Sequence, residues 1–463
     1  MNTVVVGAGP AGVRAVETLL QAGIRPIWLD EARDGGGRVY QRPPSAIALD
    51  AAKLYGFEAV RAQSIHRTFE QTAAQTDWRP GTLVWQVRAE KNVFEVRTLT
   101  DGLRHGRVLA ERLLLCTGAT ERIVPIPGWT LPGVTTLGGA QIALKTQNCA
   151  IGSRVSLVGT GPLLWLLAHQ YVKAGVTVAA LIDTTAARVK RASAWPMLRY
   201  GAATLAKGLV YLFSARRGAQ QVHEGAVPLA IEGTDHVSGL RWRDDAGREH
   251  RVDCDAVAMG WGLRPESQLA DLAGIPFHFD HLQRQWLPTV DAAGRSPVAG
   301  VYCAGDGASI GGAEVAELAG ARAAWAMIAD RAGTVDTQAV SRLDQALARQ
   351  ARLRAALELA FPYPAALAAS VDDDTILCRC ESLTAGMVRA AAAPSAPTGA
   401  ARELNRAKAV SRLGMGRCQG RMCASAAAEV LASVHQIQIA KVGRLRAQPP
   451  VRPIPMVVQE EIT

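Results

Sequence analysis

The chain has 463 residues, a net charge of +10, 49% apolar residues and 20% charged residues. This length predicts about three domains, and the apolar content is sufficient for ordinary buried cores, which excludes a disordered chain. A basic balance can indicate a nucleic-acid partner, but here the arginines are scattered and aromatic residues make up only 5%. We therefore expect no nucleic-acid partner and interpret the charge as a solvated basic surface.

The first segment reads as a strand, a glycine turn and a helix. The apolar run at 3–6 leads into Gly7-Ala8-Gly9-Pro10-Ala11-Gly12. In such a loop Gly7 makes the tight turn, Gly9 lets the backbone approach a pyrophosphate, and Gly12 lets helix and strand pack closely. The phosphates then meet the free amides and the positive dipole end of the helix. This pattern predicts a dinucleotide site.

An acidic residue is expected at the end of the second strand, where a carboxylate can hold ribose hydroxyls. Two candidates stand there, Asp30 and Glu31. Counting from Gly12 favours Asp30, whereas the register of an internal repeat and the distance to Gly36-Gly37 favour Glu31. We prefer Glu31 and keep Asp30 as the second candidate.

The same pattern recurs 152 residues later in the chain. A strand leads into Gly159-Thr160-Gly161-Pro162, a helix follows, and the next strand ends in Asp183. The repeat predicts two nucleotide-binding folds. In the second fold the third loop position is Leu164, where a small residue is usual. A working NAD site on Gly159, Gly161 and Asp183 is therefore weighed about evenly against a domain kept for structure.

Four of the eight cysteines form two tight pairs near the end of the chain. Cys378 and Cys380 are separated by thirty-seven residues from the second pair, Cys418 and Cys423. In a reducing compartment such pairs indicate metal or redox chemistry rather than disulfides. Four cysteines fit either zinc or an iron–sulfur cluster, and C-x-C is tighter than the usual zinc spacing. We prefer a cluster held by these four cysteines over zinc, and either over free thiols.

Neither a signal peptide nor a membrane span is predicted. A strand begins at residue 3, and no run of eighteen apolar residues occurs. We expect a cytoplasmic protein, and attachment to a membrane through partners is left open.

The first 330 residues resemble the flavoproteins with two dinucleotide-binding domains. Besides the first glycine loop, the resemblance is carried by Gly36-Gly37-Arg38, Thr117-Gly118-Ala119, Gly305-Asp306 and Gly312-Ala313. It implies bound FAD, with residues 117–119 closing the first lobe and Asp306 holding the ribityl chain. The helix that begins after Gly312 would point its N-terminus at the flavin, where its dipole stabilises negative charge.

The cysteine segment resembles the bacterioferritin-associated-ferredoxin type of [2Fe–2S] domain. More closely, it is similar to the version fused to α subunits of opine oxidases, hydroxyproline dehydrogenases and hydrogen cyanide synthase, and this resemblance runs through nearly the whole chain. It implies the FAD and [2Fe–2S] subunit of a heteromeric amine or amino-acid dehydrogenase. The substrate would be glycine, an opine or hydroxyproline, which the sequence does not distinguish.

The same resemblance implies a partner β subunit of the FAD-dependent amino-acid oxidase type, which oxidises the C–N bond, and an electron acceptor. A small ferredoxin-like third subunit is left open. So is a second nucleotide, which could be NAD(P), ATP or FMN at a subunit interface. No catalytic residue of this chain is assigned.

The predicted fold class is α/β, with two Rossmann-like domains and a small helical [2Fe–2S] domain. The predicted organisation is an FAD-binding domain at 1–150 and 280–335, a second dinucleotide-binding domain at 151–279, a helical linker at 336–370, a [2Fe–2S] domain at 371–435 and a Pro-rich strap at 436–463. Two other functions fit these motifs. One is a stand-alone NAD(P)H-dependent flavin and iron–sulfur reductase, and the other is a scaffold subunit with an idle nucleotide pocket.

Overall fold

A computed structural model describes residues 2–47, 50–91, 93–333, 335–396, 399–455 and 459–462. The first domain is built on a parallel sheet with the strand order Val301–Cys303, Arg112–Leu115, Thr3–Val6, Ile27–Leu29 and Asp77–Arg79. The central strands are continuous apolar runs because both faces of the sheet are covered. Chain segments from both ends of the flavoprotein region therefore meet in one sheet, as the discontinuous domain prediction requires.

Helices Pro10–Gln21 and Ala313–Ala332 pack closely against each other beside this sheet. Their contact depends on small residues: a Cβ on Gly320 would lie 2.0 Å from the carbonyl oxygen of Ala11. The short helices Ala51–Tyr55 and Gly56–Glu58 lead into Ala59–Ala73, which lies on the other side of Pro10–Gln21.

A second, antiparallel layer covers the first domain. It consists of the strands Thr82–Glu90, Val93–Thr100 and Arg104–Ala110, extended by the parallel strand Gln459–Ile462. The C-terminal strand thus returns to the domain in which the chain begins.

The second domain repeats the first in outline. Its parallel sheet has the order Val222–Glu224, Thr177–Asp183, Arg154–Thr160, Ala256–Trp261 and Val134–Thr136. Around it lie the helices Leu137–Gln147, Pro162–Lys173, Ala187–Ala192 and Ala194–Gly218, and an antiparallel sheet of Val227–Gly233, Val237–Arg243 and Glu249–Asp253. The edge strand Val134–Thr136 belongs to this sheet, so the second domain begins before residue 150.

Short elements connect the two domains. Ala119–Glu121 pairs with Leu263–Pro265, the helix Gln268–Leu272 follows, and Phe277–Asp280 forms a hairpin with Gln285–Pro288. The single turn Gly305–Gly307 precedes the long helix Ala313–Ala332.

The linker helix Thr337–Ala360 leads to the C-terminal region. The cysteine domain contains the helices Ala365–Ala369, Ala385–Ala392, Leu404–Ser411, Ala424–His435 and Ile439–Val442, and the two short strands Ile376–Cys378 and Leu383–Thr384. Its alanine-rich core is continuous with that of the second domain, and the Trp129 indole donates to the carbonyl of Ile376 at 2.6 Å. The predicted strap follows at 436–455, while its residues 456–458 and 463 lie outside the described part of the chain.

Within the described ranges, none of the helices is both long enough and apolar enough to cross a bilayer.

Candidate functional site: two nucleotide loops and a cysteine centre

The glycine loop at residues 7–12 is held by bonds that leave its amides directed outward. The Gly7 amide donates to the Leu29 carbonyl at 2.8 Å, and the Trp28 indole donates to the Gly7 carbonyl at 3.0 Å. A Cβ on Gly12 would lie 1.9 Å from the Gly7 oxygen, so only glycine allows the helix to start this close to the strand. Gly7 itself has φ +107°, which L side chains rarely adopt. The loop is therefore built as the spacing predicts.

The two acidic candidates have different partners. The Asp30 carboxylate accepts from the Ala8 amide at 2.5 Å and from the Ala32 amide at 2.6 Å, and burial raises its pKa although both amides lower it. Glu31 is exposed and forms an ion pair with Arg452. Asp30 thus stabilises the glycine loop from below, and the choice of Glu31 as ribose ligand stays a prediction.

Gly36, Gly37 and Arg38 follow the acids and lie against the glycine loop. The Gly36 amide donates to the Ala8 carbonyl at 2.8 Å, and a Cβ on Gly37 would lie 3.0 Å from the Gly9 Cα. Arg38 is near enough to Asp30 to lower the pKa of that carboxyl. A bulkier residue at either glycine would fill the space beside the loop.

The other predicted flavin contacts meet at the carboxyl edge of the same sheet. Asp306 Oδ1 accepts from the amides of Gly311 and Gly312 at 2.8 and 2.9 Å, which fixes the turn before the helix that starts at Ala313. Gly305 and Gly307 belong to the preceding turn, and a Cβ on Gly307 would lie 2.6 Å from Thr117 Oγ1. The 305–307 turn and the 117–119 loop therefore touch.

The side that these loops face is open. A Cβ added at Gly118 or at Gly312 would meet no atom within 4 Å. The donor set also suits FAD: loop amides and a helix N-terminus for the diphosphate, an acid for the ribose, and a second helix N-terminus beyond the turn. The residues present therefore fit an FAD molecule, which residues 7–12, 30–31, 36–38, 117–119 and 305–313 would hold.

The second loop differs because its acid is already occupied. Asp183 is fully buried, and its carboxylate accepts from the Trp165 indole at 2.9 Å, from Lys190 Nζ at 2.5 Å and from the Thr185 amide at 2.8 Å. Burial raises the pKa of Asp183, and Lys190 opposes that shift. The carboxylate predicted for a ribose thus serves an internal ion pair.

The chain also covers this second loop. Gly161 lies in a cavity whose walls include Trp261, Phe361 and Tyr363, the last two at the end of the linker helix. Lys190 Nζ lies 5.9 Å from the centre of the Phe361 ring. Leu164 is fully buried with the core beneath the loop, so its side chain takes the space that a small residue leaves in nucleotide-binding relatives. Gly159 keeps the tight turn, because a Cβ there would lie 1.8 Å from the Gly260 oxygen.

The four predicted cysteine ligands lie together as two pairs. The Cys423 thiol donates to the Cys378 sulfur, and the Cys380 thiol donates to the sulfur of Cys418. Backbone amides of Gly414, Glu381 and Cys380 donate to the Cys378 sulfur, and the Cys418 amide donates to that of Cys380.

The same contacts set the acidity of the thiols. The bond from Cys423 and the three amides lower the pKa of Cys378 to about 6, while donation to Cys378 and burial raise that of Cys423. Among residues that the structure describes, no three Cys, His, Asp or Glu side chains lie close enough to hold a single ion. Two sulfur pairs that receive backbone amides nevertheless form the donor set of a thiolate-bound centre.

The basic residues near these sulfurs are not all those that the sequence indicated. Arg412 pairs with Glu381 at 2.7 Å, and the Arg379 guanidinium lies 5.7 Å from the centre of the Trp129 ring. Arg264, from the strand Leu263–Pro265, lies near Cys418 and Cys423. Arg264 is 154 residues before Cys418, and only the fold brings it to this site.

The comparisons with known proteins first define a class. Residues 1–325 match the pyridine nucleotide-disulphide oxidoreductase family, and the P. horikoshii L-proline dehydrogenase shares the fold with a TM-score of 0.70 and 18% identity, over 98% of this chain and 78% of that one. Thioredoxin reductase of T. acidophilum, at 21% identity and a TM-score of 0.51, covers 71% of this chain with 98% of its own. The fold is that of a flavoprotein oxidoreductase.

Curated relatives then narrow the class. A subunit of the opine oxidase of Agrobacterium tumefaciens is 35% identical over 98% of this chain and 90% of that protein. Hydrogen cyanide synthase subunit HcnB of Pseudomonas aeruginosa is 30% identical over 98% of this chain and 97% of that protein. The chain belongs to this family of oxidoreductase subunits, which unites the opine oxidase protein with HcnB.

Proposed function

We propose that this chain is the FAD- and [2Fe–2S]-containing electron-transfer subunit of a heteromeric dehydrogenase or oxidase. The partner β subunit, of the FAD-dependent amino-acid oxidase type, would oxidise the C–N bond of an amino acid or secondary amine. The observation that carries the proposal is the presence of both donor sets in one chain: an open glycine loop at 7–12 and two amide-supported sulfur pairs at 378–423.

The residues have separate tasks in this proposal. Residues 7–12 bind the FAD diphosphate, Glu31 holds the ribose, and Asp306 fixes the turn before the helix that faces the flavin. Cys378, Cys380, Cys418 and Cys423 hold the cluster. When bound, FAD supplies two-electron chemistry and the cluster supplies one-electron transfer.

The names of the relatives support the heteromeric part of the proposal, since one of them is a subunit of an oxidase and the other is a subunit of a synthase. The substrate of the complex would belong to the glycine, opine or hydroxyproline class. The chain would work in the cytoplasm, pass electrons to an acceptor, and bind a small ferredoxin-like third subunit if the complex has one.

One observation disfavours the stand-alone NAD(P)H reductase. Asp183 is held by Lys190 and Trp165, and the second loop is covered by Phe361 and Tyr363. A nicotinamide dinucleotide would have to break a buried ion pair to reach the ribose acid, which is costly.

The test is anaerobic co-purification with the β subunit, followed by metal and sulfide analysis and visible spectra. We expect iron and acid-labile sulfide in equal amounts, with flavin bands, and bleaching of the flavin by one member of a panel of glycine, an opine and hydroxyproline. Zinc in place of iron would contradict the cluster. Rapid bleaching by NADH would support the reductase instead, and the absence of flavin and iron–sulfur bands would support the scaffold.

A cysteine variant separates the two cofactors. Cys423→Ser should remove the iron–sulfur bands and leave the flavin bound, whereas Cys149→Ser, at an exposed cysteine outside the two pairs, should change neither. Loss of flavin together with the cluster would contradict two independent sites.

A further inference from the structure

Glu266 lies between the two predicted cofactor sites and bonds to both. Its amide donates to the Gly118 carbonyl at 2.9 Å, and its carbonyl accepts from Thr117 Oγ1 at 2.5 Å. Its carboxylate accepts from both Arg421 Nε, at 2.5 Å, and Arg421 Nη2, at 2.9 Å. The backbone of one residue is thus fixed on the 117–119 loop and its side chain on the cysteine domain.

Arg421 is part of the cysteine loop (residues 418–423). Its Nη1 donates to the Cys418 carbonyl at 3.2 Å and to the Val451 carbonyl at 2.8 Å. The side chains of Arg421 and Glu266 are only 12% and 14% exposed. A bidentate pair of this kind fixes geometry, because two parallel N–H donors meet both carboxylate oxygens.

The contact continues on either side of the pair. Gln268 Nε2 donates to the Gln419 carbonyl at 2.9 Å, and Arg264 Nη1 lies 3.4 Å from the Gly420 carbonyl. Residues 264–268 therefore contact successive backbone groups of the cysteine loop, with Glu266–Arg421 as the charged pair in the middle.

We infer that Glu266 and Arg421 are positioning residues that fix the cysteine loop against the 117–119 loop of the flavin site and set the charge next to the cluster. The inference rests on the proposed function, since it assigns the pair to the approach between flavin and cluster. It predicts two separable effects of the pair, one on loop order and one on the redox balance.

A matched control exists in the same interface. Arg284 and Glu429 also form a bidentate pair between the flavoprotein region and the cysteine domain, at 2.5 and 2.8 Å. Glu429 lies within the helix Ala424–His435, and neither residue is hydrogen-bonded to the 117–119 loop or the cysteine loop. Arg284→Gln removes a bidentate ion pair of the same type without touching the proposed contact.

The experiment uses the full chain with its cofactors. Amide hydrogen exchange is measured at 117–119 and 412–423, and the redox equilibrium between cluster and flavin is measured by titration. Glu266→Gln and Arg421→Gln should both speed exchange in both segments about tenfold, the effect of losing a charge-assisted hydrogen bond, while Arg284→Gln should not.

The redox effects should have opposite signs. Arg421→Gln removes a positive charge beside the cysteine loop and should make the cluster harder to reduce, whereas Glu266→Gln removes a negative charge and should make it easier to reduce. We expect shifts of about tenfold in the equilibrium, or about 59 mV for one electron. A merely structural pair would move both variants in the same direction, and that result would overturn the inference.

Arg421→Lys guards against a variant that does not fold. It keeps the charge and loses the bidentate geometry, so exchange should quicken while the redox balance stays near that of the unaltered protein. Unchanged exchange in Glu266→Gln, or equal exchange in Arg284→Gln, would overturn the inference. If the unaltered protein contained no iron, the proposed function would fail while the exchange data still tested the pair.

Discussion

The two dinucleotide folds of this chain share strand, loop and helix, but the acids that end their second strands have different partners. In the first fold Glu31 is exposed, and the space beside Gly118 and Gly312 is open. In the second, Asp183 is buried with Lys190, and the linker helix ends over the loop. A repeated backbone can therefore keep its turns and lose its site through side chains that come from outside the repeat.

The largest difference between the folds should appear at the third loop position. Gly12→Val would place atoms less than 2 Å from the Gly7 carbonyl, because a Cβ alone already lies at 1.9 Å. We expect complete loss of flavin and a destabilisation of at least about 3 kcal/mol, beyond ordinary overpacking. Flavin absorbance after gel filtration and urea unfolding measure the two effects.

The matched change in the second fold is Leu164→Ala. It creates a cavity in a full core and should cost about 2–5 kcal/mol, with flavin still bound to the protein that remains folded. If flavin were lost here as well, the two folds would not be independent in the way that we describe.

The ion pair of the second fold should give the next largest effect. Lys190→Met leaves the Asp183 carboxylate buried without its cation, which should cost about 3–5 kcal/mol at neutral pH. Because burial already raises the pKa of Asp183 and the change raises it further, stability should fall as the pH rises from the unfolded pKa towards the folded one. Urea unfolding at several pH values checks this.

Lys190→Arg retains the charge and serves as the control. A deficit of Lys190→Met that grows on acidification would contradict the assignment of the effect to Asp183.

The two acids of the first fold should separate by smaller effects. Asp30→Asn cannot accept from both the Ala8 and Ala32 amides, and should lose about 1–3 kcal/mol of stability. Glu31→Gln should leave stability unchanged and weaken FAD about tenfold, or about 1.4 kcal/mol. Calorimetric FAD binding to deflavinated protein, with unfolding curves, distinguishes them. Weaker FAD binding in Asp30→Asn at unchanged stability would make Asp30 the ribose ligand.

The smallest effect is expected at Arg452, which pairs with Glu31 from the C-terminal strap. The two side chains are 38% and 42% exposed, so Arg452→Gln should change stability by less than about 1 kcal/mol, with the remainder screened by salt. Unfolding at low and high ionic strength measures it. A larger loss that persists in salt would show that the strap stabilises the first domain by more than this pair.

The parts of the molecule that sequence could predict are those encoded by neighbours in the chain. The loop at 7–12 follows its strand directly, and the offset between Gly7 and Gly159 revealed the second fold before any contact was known. Likewise the spacing of Cys378, Cys380, Cys418 and Cys423 indicated one site, and the structure brings their loops together.

The rest depended on contacts between distant segments. Nothing around Asp183 signals that Lys190 binds it rather than solvent, because both patterns end a strand with an acid. Glu266 and Arg421 are 155 residues apart, and neither stands in a motif. The edge strand Val134–Thr136 has no periodicity that assigns it to one sheet or the other, so the boundary near 150 followed the glycine repeat.

The alanine-lined core that joins the cysteine domain to the second fold limits how this region can be reused. Leu377, Val430 and Leu431 are buried in the same cluster as Val158 and Trp242. A fragment cut at residue 371 would present that face to water and lose the indole donor of Trp129. The segment is therefore no transferable cassette, and a fusion that grafts it onto an unrelated reductase without its supporting fold should yield an aggregating product.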